Sequence, residues 1–455
     1  MPLIFSIKNT SFLRKSLLAL IVLFTPTLTL NSPLHAIPRP TSSLIKDSPK
    51  EVIDQVWQIV YRDYLDSSGD YDEVSWLKLR KAVLSRKYND LEESYEAIRT
   101  ILSSLKDPYT RFLDPREFKE MKIDTSGELT GVGIQLSVDK SSNEVVVVSP
   151  IEGTPAFRAG VKPKDVITSI DSISTKGMSI EEVVRLIRGK KGTKVELGIR
   201  RNNKVILFPM VRDKIEILVV HSQLNKTKNG TNIGYIRLKQ FNANASKEMS
   251  NTIKEFEKKD ISGYVLDLRS NPGGLLESSV DIARQWLNEG TIVSTQTKNG
   301  IKDIRKANGR ALTKMPLVVL VNEGSASASE ILSGAIQDNK RGFLVGEKTF
   351  GKGLVQSVRT LSDGSGLTVT IAKYLTPKGT DIHKNGIIPD VLANVSEDEM
   401  STLTINDIGT YKDKQYRIGE NILLKSIKVN NINRTFNPFS SNIQSALIRP
   451  FRNSN

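Results

Sequence analysis

The 455-residue sequence predicts a multidomain α/β protein: a small helical N-terminal domain over residues 46–122, a compact β-rich module with two helices over 127–211, and a larger α/β core over 212–395. Three observations predict it. The length exceeds one compact core, since domains run to about 100–200 residues. The apolar period changes near Gly127 from three and four residues to short extended runs. Beyond Ile233, extended apolar runs alternate with helical ones, as in a largely parallel sheet with crossover helices.

Ahead of the first domain, Lys8, Arg14 and Lys15 precede an apolar run from Leu17 to Leu30 and then the small residue Ala36. This predicts a secretory signal over residues 1–36, cleaved after Ala36. The run is interrupted by Pro26 and falls short of the roughly 20 residues that span a bilayer, so no stable membrane span is expected after cleavage. The expected destination is a periplasm or a thylakoid lumen.

Within the helical domain, Ile53, Val56, Trp57, Val60 and Tyr61 share one helical face, and Leu91, Tyr95, Ile98, Leu102 and Leu105 share another. Asp107-Pro108 and Asp114-Pro115 break the pattern. In the second module, Gly131-Val132-Gly133-Ile134 opens an extended run, followed by runs over 145–148 and 166–170. Thr154, Pro155 and Gly160 are the N-cap, first residue and terminator of one helix. Ser179-Ile180-Glu181-Glu182 is a capping box that opens the other, which Gly189 stops. This order of elements resembles a PDZ domain. That resemblance implies that the backbone N–H groups of Gly131, Val132, Gly133 and Ile134 capture a peptide's terminal carboxylate while the peptide adds a strand to the sheet edge. The two glycines also fit a simple turn.

Composition narrows the chemistry. There is no cysteine, which excludes disulfides, a thiol nucleophile, a thiolate zinc site and an iron–sulfur cluster. The three histidines, His35, His221 and His383, leave little for a Ser/His/Asp triad or a zincin helix. The net charge of +15 comes from scattered lysines and arginines, which favours a solvated basic surface and no nucleic-acid partner. Nothing in the sequence sets an oligomeric state.

Three motifs fall at strand ends of the core, where open α/β sheets carry their chemistry. Residues 316–322 read as a buried strand, followed by Glu323-Gly-Ser-Ala-Ser-Ala-Ser-Glu330 and an apolar helix. Ser327 would stand at that helix's N-terminus, where dipole and free N–H groups favour an anion, although Ser327 to Glu330 equally fit a capping box. Lys352 lies between Gly351 and Gly353 among apolar neighbours that could desolvate it; an amine acts as a base only when neutral. If the chain is extended there, Lys352 and Gln356 share a face, so that an amide could hold the amine. Asn271-Pro272-Gly273-Gly274 suits a type II turn that could aim the N–H of Gly273 at an oxyanion, with that of Ala328 as second donor.

Together with Asp107-Pro-Tyr-Thr-Arg-Phe-Leu113 and Thr376-Pro-Lys-Gly-Thr-Asp-Ile-His383, these motifs resemble the carboxy-terminal processing proteases, or tail-specific proteases, over essentially the whole chain after the signal. The resemblance implies a crotonase-like α/β core with a serine/lysine dyad. Ser327 is the implied nucleophile, Lys352 the general base, Gln356 the residue orienting it, and Gly273 and Ala328 the oxyanion donors. Glu330 matches an acidic position beside the dyad. No metal or organic cofactor is implied, and the partner is a protein or peptide with a free C-terminus. The run from Ser174 to Glu182 looks most like cyanobacterial and chloroplast members, which implies maturation of a photosystem II reaction-centre precursor; a general periplasmic tail-specific protease is the alternative. A non-catalytic peptide-binding scaffold would need the dyad lost. A penicillin-binding S-x-x-K acylase has only the matches at Ser43 and Ser103 and no K-T-G. The region 396–455 is read as an extension with one docking helix on Ile418, Ile422, Leu423 and Ile427, loose after Asn430.

Overall fold

The computed structural model describes residues 22–23, 48–67, 69–300, 302–396, 399, 402–404 and 406–436. They form two compact units, one of residues 126–218 and one of the chain on either side of it. Of the signal segment only strand β1 (Val22–Leu23) is described; the expected cleavage point lies outside the described residues.

The N-terminal helices form where their apolar faces predict them: α1 (Pro49–Asp63), α2 (Glu73–Ser85) and α3 (Leu91–Ser103). Asp72 and Asp90 cap α2 and α3 by accepting free N–H groups of the first turn. After the first Asp-Pro step comes β2 (Arg111–Leu113), and the second opens α4 (Pro115–Ser126), with Asp114 accepting from Arg116 and Glu117 N–H.

The second unit contains β3 (Glu128–Gly131), β4 (Ile134–Val138), β5 (Val145–Pro150), α5 (Pro155–Ala159), β6 (Val166–Ile170), β7 (Ile173–Ser174), α6 (Ile180–Ile187), β8 (Lys194–Arg201), β9 (Lys204–Val211) and β10 (Asp213–Glu216). Its main sheet runs β4-β5-β6-β8-β9, with β7 beside β6, which leaves β4 as an edge; β3 and β10 form a separate antiparallel pair. Val147, Ile167, Leu197 and Ile199 from the sheet pack with Ala156 of α5 and Val183 of α6. The capping box of α6 forms in both directions, and Gly160 closes α5 at φ +83°.

The core begins with β11 (Val220–Lys226), β12 (Asn232–Leu238), α7 (Ala245–Phe256), β13 (Gly263–Asp267), α8 (Leu276–Trp286), β14 (Thr291–Thr297) and β15 (Lys302–Lys306). It continues with β16 (Leu317–Val321), α9 (Ala328–Asp338), β17 (Phe343–Gly346), β18 (Leu354–Thr360), β19 (Gly366–Leu375), β20 (Val391–Leu392) and α10 (Lys414–Phe436). One sheet runs β11-β12-β13-β16-β17-β20, parallel from β12 onward. Period two sorts its side chains. Ile236, Leu266, Val319 and Leu344 face a core shared with α7, α8 and α9, while Tyr235, Val265, Val318, Leu320 and Val345 face Tyr416 and Leu423 of α10. A second sheet runs β1-β18-β19-β14-β15, with β2 antiparallel to β19.

One expected boundary is corrected. The helices of residues 46–122 share a core with Phe112 of β2 and with Leu367 and Val369 of β19, so they belong to the same unit as the α/β core. In the region after residue 395, a helix carrying Ile418, Ile422, Leu423 and Ile427 docks on one face of the central sheet as α10, and it continues past Asn430, where a loose tail is expected, to Phe436. Residues 437–455 lie outside the described residues. No helix among the described residues is long and apolar enough to cross a membrane.

Candidate active site

β13, β16 and β17 are neighbours and parallel, so the loops leaving their C-terminal ends converge. These loops are the three motifs singled out above. After β13, the chain turns through Ser270 (φ +56°) into Asn271-Pro272-Gly273, where Gly273 has φ +99° as a type II turn requires. Gly273 O accepts from Phe241 N–H at 2.9 Å, which pins the turn to the segment that follows β12. The Gly273 N–H itself donates to Asn271 Oδ1 at 2.9 Å.

After β16, Ser325 Oγ donates to Leu268 O at 2.8 Å and the Ala326 N–H donates to Asn271 O at 3.0 Å, locking this loop to the first. Ser327 is held at φ +59°, a conformation that side-chain-bearing residues populate sparsely and that needs such bracing. Ala328 follows as the first residue of α9, one of the positions whose N–H a helix leaves without an intrahelical acceptor.

After β17, Lys352 is 1% exposed. Burial, and to a smaller extent the Arg111 guanidinium, depress its pKa to about 7 from the ordinary 10.5, against the opposing charges of Asp107 and Glu330. Among the described residues, Lys352 Nζ, Ser327 Oγ and Gln356 Oε1 are buried polar atoms with no hydrogen-bond partner.

Glu330 and Tyr374 tie serine and lysine together. One Glu330 oxygen accepts from the N–H groups of Ser327 and Lys352 at 2.8 and 2.9 Å; the other accepts from Thr349 Oγ1 and the Gly351 N–H at 2.6 and 2.7 Å. Burial raises the Glu330 pKa, opposed by these four bonds, which favour the carboxylate. The Tyr374 phenol lies 3.1 Å from Ser327 O and 2.5 Å from Lys352 O, so it can donate to either. The cap that Ser327 to Glu330 suggested is thus put to another use: the Glu330 half reaches the Ser327 N–H, and the serine oxygen stays free of a partner. Sequence reasoning missed Tyr374, whose only signal was an aromatic residue within a β-strand pattern.

Gln356 differs in detail from expectation. Lys352 precedes β18, which starts at Leu354, and Gln356 Nε2 donates to Thr370 Oγ1 on β19 at 3.3 Å.

A methyl group on Gly273 would lie 2.7 Å from Ala326 O, 2.8 Å from Ser327 Cβ and 2.9 Å from Ala328 N, in a backbone conformation hostile to alanine. Gly273→Ala is expected to force this turn away from the start of α9 and to lower the melting temperature. An unchanged melting curve would show that the turn accommodates the methyl group.

In the 126–218 unit, Val132 O accepts from Ala156 N–H at 2.8 Å, and Gly133 O accepts from Ile151 N–H at 2.9 Å and from Thr154 Oγ1 at 3.2 Å. Peptide planarity turns the N–H groups of Gly133 and Ile134 the opposite way. Gly133 has φ +80°, and a Cβ there would lie 2.4 Å from the Thr154 side chain. Gly131 and Ile134 end β3 and begin β4, so the loop adjoins the free edge strand.

Comparison with known proteins gives the class: the chain is a serine-type peptidase that carries a PDZ domain. The chain belongs to Peptidase family S41, whose profile matches residues 232–393, while a PDZ-domain profile matches residues 146–201. Within that family it is a C-terminal processing protease. It is 42% identical over 390 residues to the carboxyl-terminal-processing protease of Synechocystis sp., covering 85% of this chain and 90% of that one. It is 41% identical over 347 residues to the chloroplastic carboxyl-terminal-processing peptidase 2 of Arabidopsis thaliana, covering 74% and 67%. Among solved structures it is similar to a photosystem II D1 C-terminal processing protease, with 38% identity, a TM-score of 0.50, and 76% of this chain and 94% of that one covered.

Proposed function

We propose that this protein is a serine endopeptidase that captures the free C-terminus of a protein substrate on its PDZ domain and cleaves near that end with a Ser327/Lys352 dyad. The observation that carries the reading is Lys352. It is a buried amine with no hydrogen-bond partner, with its pKa brought to about 7, and its backbone is joined to that of Ser327 through one carboxylate.

Neutral Lys352 takes the proton of Ser327 Oγ as that oxygen attacks the scissile carbonyl. The oxyanion is received by the N–H groups of Ala328 and Gly273; the latter must be shared with, or released by, Asn271 Oδ1. The lysine ammonium then protonates the leaving amine, and the same lysine deprotonates the water that splits the acyl-enzyme. Gln356 Oε1, buried and unpaired, is the acceptor suited to orienting Lys352 Nζ. At the PDZ domain, the N–H groups of Gly133 and Ile134, with Gly131 and Val132 shaping the loop, take the terminal carboxylate while the substrate pairs with β4. Tethering raises the local concentration of the adjoining chain and confines cleavage to the tail.

The likeness to a photosystem II D1 processing protease and to cyanobacterial and chloroplast relatives supports removal of the carboxyl tail of a photosystem II reaction-centre precursor as the role. An exported enzyme of the thylakoid lumen or periplasm fits the basic, then apolar, leader. The test compares two peptides that differ only in a free or amidated C-terminus, incubated with wild type and Lys352→Ala. Wild type is expected to cleave the free form at least about tenfold faster, by loss of charge-assisted bonds in the other, and the variant to cleave neither. Equal cleavage of both peptides would remove carboxylate capture.

A further inference from the structure

The proposed dyad makes no use of the loop Asp107-Pro-Tyr-Thr-Arg111, which lies far ahead of Lys352 in sequence and beside it in space. Resting on the Ser327/Lys352 reading, we infer that this loop is the positioning element of the base, with Tyr109 shielding the Lys352 amine from water and Asp107 fixing Gln356 through Thr370.

The Asp107 carboxylate organises the loop. One oxygen accepts from the Tyr109 N–H at 2.9 Å; the other accepts from Thr110 Oγ1 and Thr370 Oγ1, both at 2.7 Å. Thr370 therefore donates to Asp107, which leaves its lone pairs for the Gln356 amide, and Gln356 Nε2 donates to it at 3.3 Å. With its NH₂ group committed, the Gln356 amide has one orientation, and its Oε1 is left as a buried acceptor while the Lys352 amine is a buried donor, neither with a partner. The loop is anchored on the same strand a second and third time. Thr110 Oγ1 accepts from the Thr370 N–H at 3.0 Å, and Thr368 Oγ1 donates to Tyr109 O at 2.8 Å.

Tyr109 acts on the amine directly. Its ring centroid lies 4.6 Å from Lys352 Nζ. Tyr109 also lines a cavity of about 200 Å³ with Phe350, Gly351, Leu354 and His383, whose lining does not include Lys352, so Tyr109 stands between that cavity and the amine its ring covers. A ring face attracts an ammonium modestly, whereas water attracts it strongly; exclusion of water is the larger effect and favours the neutral base. The charges facing the amine are Arg111 from β2, Asp107 from the loop and Glu330 from α9. The loop thus supplies a cation that disfavours protonation and an anion whose oxygens are already occupied by three donors.

The test uses the full chain and a peptide ending in a free carboxylate, following kcat and KM from about pH 5.5 to 10, a range that brackets the titration of a desolvated amine. Tyr109→Ala is expected to move the ascending limb of kcat/KM from near 7 upward by about one unit, with the plateau retained at high pH, because the amine regains water. Tyr109→Phe keeps the ring and is expected to keep the limb. Thr370→Val removes the relay without changing volume, and is expected to lower kcat about tenfold with little change in KM. A merely structural loop would lower the melting temperature and scale activity down evenly at all pH values without moving the limb. If Tyr109→Ala fails to fold, Thr370→Val decides through kcat per folded molecule, with the folded fraction taken from its melting curve: a drop of about tenfold in fully folded protein supports the relay, and an unchanged value overturns it. Lys352→Ala separates the two levels: hydrolysis surviving in that variant would sink the dyad, whereas a dead Lys352→Ala beside unaltered limbs and kcat values in the loop variants would sink this inference alone.

Discussion

Lys352→Met is expected to abolish peptide hydrolysis and, at neutral pH, to make the protein more stable. The two effects have one cause. The Lys352 amine is buried without a hydrogen-bond partner, so the folded state disfavours its charged form and the pKa falls from 10.5 to about 7. Between those values the unfolded chain binds a proton that the folded chain does not, so stability rises with pH across the window. The destabilisation is therefore complete below about pH 7 and fades as pH approaches 10.5. At about 1.4 kcal/mol per unit, the lysine costs on the order of 5 kcal/mol at and below neutrality. Methionine has a similar length and no charge to desolvate. Thermal melts of wild type and Lys352→Met should differ most near pH 6 and converge towards about pH 10. Hydrolysis should drop by about 10⁴-fold or more, since a serine hydroxyl without its base is a poor nucleophile. In wild type, kcat/KM should climb through a limb near pH 7 that the variant lacks. A variant less stable than wild type at that lower pH, or one still active, would show that the lysine is a structural group.

The parts of this site that were legible in the sequence are those that local chemistry dictates. Gly273 needs positive φ within a Pro-Gly turn, Ser327 opens a helix after a buried strand, and Lys352 sits between glycines; each could be read from its own neighbours. The capping box of α6 and the terminating Gly160 were legible for the same reason. What joins the parts was not. Glu330 could be read as a cap, but its reach to Thr349 and Gly351 depends on β17 lying next to β16. Thr370 and Asp107 meet because β2 pairs with β19, and the two residues stand 263 positions apart in sequence. The same pairing merges the N-terminal helices, expected as a domain of their own, into the core. The C-terminal helix was legible as amphipathic through Ile418, Ile422 and Leu423; its contribution to the loop after β13 was not, because Asp413 and Gln415 find their partner only after α10 has docked.

That partner is Arg269, and Arg269→Met is expected to be the most destabilising single change near the site. The guanidinium makes paired bonds to Asp413, bonds to Asp267 through Nε at 2.9 Å and through Nη2, and reaches Gln415 Oε1 at 3.0 Å. Asp267 also accepts from the Tyr235 phenol at 2.7 Å. Burial alone would push the Asp267 carboxyl up; Arg269 and Tyr235 outweigh it and hold the pKa below the ordinary 3.8. Asp267 therefore stabilises the wild type above its unfolded pKa, a contribution lost as pH falls through the folded value. Without the arginine, two buried carboxylates face each other with one positive charge gone, at a cost of about 3–5 kcal/mol. They cannot both remain ionised cheaply, so the variant takes up a proton and its deficit should shrink as pH falls from about 7 towards about 5. Asp413→Asn in the same background should recover part of the loss, giving a measurable coupling in a double-mutant cycle. Because Arg269 directly precedes Ser270 and the Asn271-to-Gly273 turn, activity should fall along with stability, even at temperatures where the variant remains folded. Urea unfolding at those two pH values is the measurement. A deficit of the same size at both would mean that the loss comes from packing alone and that the charges balance without the arginine.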